Sequence, residues 1–372
     1  MQLAAWLLLL IPVATFLAYP LVVLFAAALA PRRRVPVPAA TPSITILIGA
    51  HNEETTIGLK LASVAQALAA WPGTAQVLVA DDGSTDATAA IARGAGAAVI
   101  ACPRGGKAAA LNRAVPQATG EVIVMTDADP LFDAQTLPAL LAPFADPRVG
   151  AVAGRVETIR TPGRSRFAAA DRAFRRYESA LRSAEDRLFG CVSADGGLYA
   201  IRRALVPTVV ADVTDDFYVS TAAVAAGHRI AYADAARVWE HSITGARRQW
   251  RRRVRITVRG LTGLWRRRAL MNPVRTGWYA VALVLHKVAR RLAPLAILPL
   301  WLVSALAGGA WWIVFAAITA AALVALAGTL GARLPGPLRI VHGIVLHLAG
   351  LAAGTLLFVA GRRYAQWTPQ KA

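Results

Sequence analysis

Cysteine is scarce in this chain: Cys102 and Cys191 are the only two among 372 residues. Two cysteines so placed make neither a disulfide framework nor a metal-binding spacing, and a reducing, cytosolic face is their simplest environment. Acid is scarce as well, with 21 Asp and Glu against 41 Lys and Arg, a formal net charge of +20. Such an imbalance points to an anionic partner: nucleic acid, an anionic membrane surface or a phosphate-bearing ligand. The chain carries no internal repeat and no RNA- or DNA-binding signature, which argues against nucleic acid.

What the chain has in excess is apolar sequence, 56% of all residues, and it gathers at the two ends. Leu3–Ala30 is an almost unbroken apolar run, long enough to cross a bilayer with some tilt, so residues 1–30 read as a transmembrane helix. A cleaved signal peptide would begin basic and have a shorter apolar centre, whereas here Arg32–Arg34 follow the run. The positive-inside rule puts that cluster in the cytosol. Residues 31–42 read as a linker, and 292–361 as about three further spans, near Leu292–Gly308, Ala310–Thr329 and Ile340–Ala360, with 362–372 as a tail. Between Arg247 and Arg268 arginines alternate with Trp250, Val254, Val258, Leu261, Leu264 and Trp265. This is the pattern of an amphipathic helix in the membrane interface, so 246–291 reads as a basic interfacial region. Whether 278–291 spans or lies flat is left open by His286, Lys287, Arg290 and Arg291, which interrupt it.

The middle, 43–245, alternates strand and helix. Strands are expected at Ile44–Ile48, Gln76–Val79, Ala98–Ile100 and Glu121–Met125, with helices at Glu54–Ala69, Asp86–Gly94 and Lys107–Gln117. Crossovers of this kind build an α/β domain with a mostly parallel sheet, whose ligands bind at the carboxyl ends of the strands.

Five clusters fall there. Asp81-Asp82-Gly83-Ser84-Thr85-Asp86 follows a strand. It can be a turn with Asp86 capping a helix, yet two adjacent acids ending a buried strand can also hold a base or ribose edge. Asp127 and Asp129 point to the same side if the extended path continues, and two convergent carboxylates repel unless a cation sits between them. Mg²⁺ or Mn²⁺ bridged to a diphosphate meets that need; a solvated Asp-Ala-Asp-Pro turn is the alternative. Arg104-Gly105-Gly106-Lys107 opens a helix, which favours phosphate, but its spacing is not that of a Walker loop and a plain loop-to-helix junction also fits. Thr214-Asp215-Asp216 can cap a helix or supply the carboxylate base that transfer to a hydroxyl needs. Gln249-Trp250-Arg251-Arg252-Arg253 can be a solvated or lipid-facing surface, or can send a guanidinium to a diphosphate.

Taken in order, these clusters resemble family 2 glycosyltransferases, which have the GT-A (Rossmann-like) fold. The resemblance runs from Ile44-Thr-Ile-Leu-Ile-Gly-Ala-His-Asn-Glu-Glu54 to about Arg259 and includes Gly106-Lys107 through Asn112. It implies a membrane-bound enzyme that moves a sugar, with inversion, from a nucleotide-diphosphate donor to a hydroxyl of a lipid-linked or membrane-proximal glycan. In that implication Asp216 is the base, and Asp129, with Asp127, holds Mg²⁺ or Mn²⁺. Asp81, Asp82, Lys107, Asp127, Gln249 and Arg252 belong to the donor side, and Gly196 and Gly197 border the acceptor. Two departures stand out. The family's Thr-Glu-Asp is Thr-Asp-Asp here, which keeps the final acid; the tryptophan of Gln-x-x-Arg-Trp is Arg253, which counts against polymer synthesis. The expected protein is multi-pass, with its catalytic domain cytosolic and with membrane partner proteins an open option.

Three other functions compete. A polyprenyl-phosphate glycosyltransferase would share the donor half, but would not need the loop at 193–199 followed by a separate base motif. A non-catalytic binder of anionic membranes or nucleic acid would fit the charge, although the arginines cluster beside apolar runs. A transporter would bury charge in mid-span, where the runs after residue 292 offer only His342 and His347.

Overall fold

A computed structural model of the chain describes residues 1–31, 41–159, 168–241 and 246–364. Eight strands form one sheet: β1 (Ile44–Ala50), β2 (Ala75–Asp82), β3 (Ala98–Cys102), β4 (Val122–Asp127), β5 (Leu131–Phe132), β6 (Val149–Thr158), β7 (Tyr199–Arg202) and β8 (Arg229–Glu240). Their order is β3-β2-β1-β4-β7-β6-β8-β5. The four expected strands pair in parallel, β3 with β2, β2 with β1 and β1 with β4. Beyond β4 the sheet becomes mixed, while four of the seven strand pairings in all are parallel, in keeping with the expected mostly parallel sheet. β7 runs antiparallel to both β4 and β6, β6 and β8 are parallel, and β5 is antiparallel to β8.

β1 is buried along its whole length because both faces of the sheet are covered. Ile44, Ile46 and Ile48 join one core with Leu61, Val64 and Leu137, and Leu47 joins the other with Leu111, Met125 and Val219. The alternation of strand side chains feeds both cores from one apolar run. A third core lies on the domain's far side. There Tyr19 and Val23 of the N-terminal helix meet Leu181, Phe217, Leu261, Leu264 and Leu283. Burying each such side chain contributes about 1.5–3 kcal/mol, so the N-terminal helix is docked onto the domain. The dock is polar at its centre: Tyr19 Oη donates to Glu185 Oε1 at 2.6 Å, and His286 Nδ1 meets the same oxygen at 2.6 Å.

Among the described residues, three helices are long and apolar enough to cross a membrane, Gln2–Leu29, Trp311–Thr329 and Gly336–Val359. Two of these follow the domain, where about three were expected. The run at Leu292–Gly308 yields a helix of only 11 residues, Ile297–Ala307, roughly 17 Å long at 1.5 Å per residue. A 3₁₀ turn containing Pro294 precedes it, and Gly308 and Gly309, both at positive φ, end it. The basic helix Ala246–Arg266 also differs from an interfacial one. Its apolar stripe is buried in protein at Val254, Val258, Leu261 and Leu264. Arg253 packs on Gly350 and Thr257 on Gly354, so two glycines of the last apolar helix let the helices approach closely. The linker and Arg32–Arg34 lie outside the described residues, apart from Pro31 and residues 41–42, and so does the tail from 365.

Candidate active site

The ends of β2 and β4 deliver the first two acidic pairs side by side, because β1 pairs with both strands. Asp81 and Asp82 are buried. Asp81 Oδ1 accepts from the backbone N–H of Ser84 at 3.2 Å and from its hydroxyl. Asp82 Oδ1 accepts from the N–H groups of Gly105 and Gly106, both at 2.8 Å, while Oδ2 pairs with Arg104. The glycine-rich loop is therefore folded onto Asp82. Gly83 makes this contact possible: its φ is +65°, and a Cβ there would stand 2.8 Å from Arg104 N. Gly83→Ala is expected to cost about 2 kcal/mol, combining the left-handed backbone with a clash against main chain. A melting temperature several degrees lower for the full-length variant in detergent would be the sign of it. Asn52, the one described non-glycine residue at positive φ (54°), braces the same turn, its Oδ1 accepting from Thr85 N at 2.8 Å. Asp86 stands just before the next helix, whose N-cap is Ala87, and its Oδ1 accepts from the first helical N–H, that of Thr88, at 3.0 Å.

Lys107 begins the helix Lys107–Ala114 and is buried. Its Nζ lies 2.5 Å from Asp127 Oδ1 and 2.7 Å from Asp215 Oδ2. The lysine expected to meet phosphate thus bridges two carboxylates that are 88 residues apart in sequence. Burial alone would lower its ammonium, but Asp127 and Asp215 outweigh burial and hold it charged. Asp215 and Asp216 occupy the first turn of helix Asp215–Ala225, with Thr214 at its N-cap. The Asp216 carboxyl is pushed up to about 6, first by burial and then by Asp215 and Asp195. Asp129 is also pushed up to about 6, by the crowding of the cleft walls and then by Asp127. A carboxylate raised by a neighbouring acid is eased when a cation sits beside it.

Gly196 joins the two halves. A Cβ on it would lie 3.5 Å from Asp127 Oδ2 and 3.9 Å from Asp216 Oδ2, so Asp127 and Asp216 open onto one space beneath this glycine. Gly197 is packed tightly elsewhere, its Cβ position 2.8 Å from Val156. The loop is held by Arg182, buried on helix Ala168–Leu188, whose guanidinium reaches Asp195 at 3.5 Å. On the helix Ala246–Arg266, Arg252 stands near enough to Asp195 and Glu240 to favour their ionised forms. Gln249, in that helix's first turn, is half-buried.

Four residues escaped the sequence reading. Lys60 is fully buried behind the Asp127–Asp129 loop. Tyr199 is buried with no partner for its hydroxyl among the described residues, and burial followed by Asp215, Asp216 and Asp127 raises its pKa. Glu240 ends β8, where Arg175 pairs with it. Arg182 is the fourth. None belongs to a short motif; for Lys60 and Tyr199 the one sequence signal is a polar group within an apolar stretch, and Arg182, in a charged helix, has not even that.

Among the described residues no group of three or more His, Cys, Asp or Glu is placed to hold a metal ion. Two carboxylates suit an ion such as Mg²⁺, which takes one or two from protein and completes its shell with water and substrate phosphates. The residues present therefore fit a cation that arrives with a diphosphate.

The family profile described as glycosyl transferase family 2 matches residues 45–201. An N-acetylglucosaminyltransferase of Rhizobium leguminosarum bv. trifolii is 31% identical over 125 residues, covering 32% of this chain and 69% of the relative. The chain belongs to glycosyl transferase family 2. An uncharacterized glycosyltransferase of Mycobacterium tuberculosis is 36% identical over 103 residues, 28% of this family 2 chain and 44% of the relative, so the match spans less than half of that protein. Among solved structures, a mannosyltransferase from Pyrobaculum calidifontis in complex with GDP-Man and Mn²⁺ superposes with a TM-score of 0.69 at 25% identity. That superposition covers 96% of this family 2 chain and 99% of the other. The fold is therefore the GT-A fold of the family, with its apolar helices included in the likeness.

Proposed function

We propose that this protein is a membrane-bound inverting glycosyltransferase. It moves a sugar from a nucleoside-diphosphate donor to a hydroxyl of a lipid-linked or membrane-proximal glycan. The observation that carries the reading is Gly196, packed against Asp127 on one side and Asp216 on the other, which puts a donor-side acid and a candidate base in one cleft. The Pyrobaculum mannosyltransferase, solved with GDP-Man and Mn²⁺, supports a nucleotide-sugar donor and a divalent cation. Asp127 and Asp129 would hold that cation, Mg²⁺ or Mn²⁺, which would supply positive charge to the donor's diphosphate.

The chain's own groups do the rest. Asp216 takes the proton of the acceptor hydroxyl, the acceptor oxygen bonds to the anomeric carbon, and the bond from that carbon to the diphosphate breaks. Lys107 orients Asp127 through its contact with Oδ1, and Asp82 fixes the glycine loop beside the donor. Arg252 adds positive charge on the membrane side of the cleft. In this reading the catalytic unit is 43–245, the basic helix comes after it, apolar helices lie at both ends, and the catalytic face is in the cytosol.

A thermal-shift screen of the full-length protein with uridine, guanosine and thymidine diphosphate-sugars and Mn²⁺ tests the donor side. Incubation with a radiolabelled donor and membrane lipid then tests the acceptor. A labelled product stable to mild acid supports transfer to a glycan hydroxyl; a mild-acid-labile lipid-phosphate sugar replaces this reading with the polyprenyl-phosphate one.

Acidity should also matter. Asp216 works ionised and its pKa is about 6, so turnover falls as pH drops through 6. Between its ordinary value of 3.8 and 6 the folded chain holds a proton that the unfolded chain has released. This group therefore makes the fold more stable toward acid, not less. A kcat profile that declines below pH 6 while the melting temperature holds is the expected result; a flat profile from pH 5 to 8 contradicts the assignment.

A further inference from the structure

One residue is more deeply buried than its chemistry explains. Lys60, on helix Ile57–Ala69, is 0% exposed. Removing an amine from water is expensive unless its hydrogens find partners. No carboxylate lies within 4 Å of it among the described residues. Its Nζ instead donates to Thr126 Oγ1 at 2.8 Å and to the carbonyl of Pro130 at 2.5 Å, and lies 4.0 Å from the centroid of the Phe132 ring.

The two acceptors bracket the short loop Asp127-Ala128-Asp129. One amine therefore closes both ends of the segment that carries Asp127 and Asp129. The contact extends further, because Thr126 Oγ1 lies 2.8 Å from the carbonyl of Gly197. A carbonyl can only accept, so the single hydroxyl proton of Thr126 goes to a carbonyl, the nearer being Gly197 at 2.8 Å and the other Asp127 at 3.3 Å, and the bond from Lys60 must be donated by the lysine. A directed chain results, from the helix through the metal-side loop to the acceptor-side loop. An apolar residue at position 60 would fill the space as well, but would leave Thr126 Oγ1 with one partner fewer and the Pro130 carbonyl without this donor.

We infer that Lys60 is a positioning residue: by tying Thr126 and Pro130 together it aims Asp127 and Asp129 at one point, and through Thr126 it sets that point against Gly197. The inference rests on the reading of Asp127 and Asp129 as cation ligands. Partners that orient metal ligands typically affect affinity by about 10–100-fold.

The test uses the full-length protein in detergent, with Mn²⁺ affinity in the presence of a nucleoside diphosphate read from the electron paramagnetic resonance of the free ion. Lys60→Met should fold, bind Mn²⁺ roughly 10–100-fold more weakly and lose turnover, whereas Lys60→Gln, which keeps two donors, should recover part of the affinity. Thr126→Val should weaken the ion and raise the acceptor KM together, since it cuts the link to Gly197. Wild-type Mn²⁺ affinity and kcat in Lys60→Met overturns the inference. Should that variant not fold, wild-type affinity in both Lys60→Gln and Thr126→Val overturns it equally. Asp129→Asn separates the failures. If it loses Mn²⁺ and Lys60→Met does not, only the positioning role falls; if it binds Mn²⁺ like the wild type, the cation reading falls and takes this inference with it.

Discussion

Replacing Asp216 with asparagine is expected to lower kcat by about 10²–10⁴-fold, the contribution of a well-placed general base, while nucleotide-sugar and Mn²⁺ affinities stay at wild-type values. Asparagine has the same shape and keeps the oxygen that accepts from Phe217 N at 2.8 Å. It cannot take a proton. Folding should change little, because two effects oppose each other. The lost charge weakens the interaction with the helix N-terminus by about 0.3–1 kcal/mol, and repulsion from Asp215 and Asp195 is relieved. Isothermal titration with donor and a single-turnover assay read binding and chemistry apart. A variant with wild-type turnover would remove Asp216 from the mechanism and return Thr214–Asp216 to helix capping.

Asp129→Asn should abolish metal-dependent donor binding, with Mn²⁺ affinity lowered by at least ~100-fold, more than the loss of an orienting partner costs. Asp127 cannot compensate, since its Oδ1 is already engaged by Lys107 at 2.5 Å. The same substitution removes a charge that desolvation, and then repulsion from Asp127, disfavours. The variant without metal should therefore melt at or above the wild-type temperature, while the stabilisation produced by Mn²⁺ and nucleotide disappears. That opposite pair of shifts distinguishes a lost ligand from a damaged fold. For the intact site, a ligand at 100 times its Kd adds about 2.7 kcal/mol, so the missing shift is large enough to measure. If Asp129→Asn keeps the wild-type Mn²⁺ response, the Asp-Ala-Asp segment is the solvated turn of the alternative reading.

Asp129 was legible in the sequence because it follows a strand end, the side on which a parallel sheet binds ligands, and Asp216 because Thr-Asp-Asp opens a helix. The glycines at 83 and 106 were legible for a similar reason: a strand must turn sharply there, and both adopt positive φ. Lys107 was read as a phosphate ligand because a lysine at a helix start after two glycines suggests one. Its second partner, Asp215, comes from a distant loop. The basic helix at 246–266 was read as interfacial from its stripe alone, which reports that one side is apolar but not whether lipid or Gly350 and Gly354 covers it.

The sequence by itself determined the family, the parallel half of the sheet, the acidic strand ends and the apolar runs at both ends, since all of these are written within windows of a few residues. Tertiary structure alone decided the reversed strand β7, the seating of Lys60 behind the metal-side loop, the grip of Arg182 on Asp195 and the meeting of Asp127 with Asp216 beneath Gly196. Local patterning fixes which face of an element is hidden from water. Which buried donor meets which acceptor is settled only when segments tens of residues apart pack together, because an unpartnered polar group in the interior is too costly to leave.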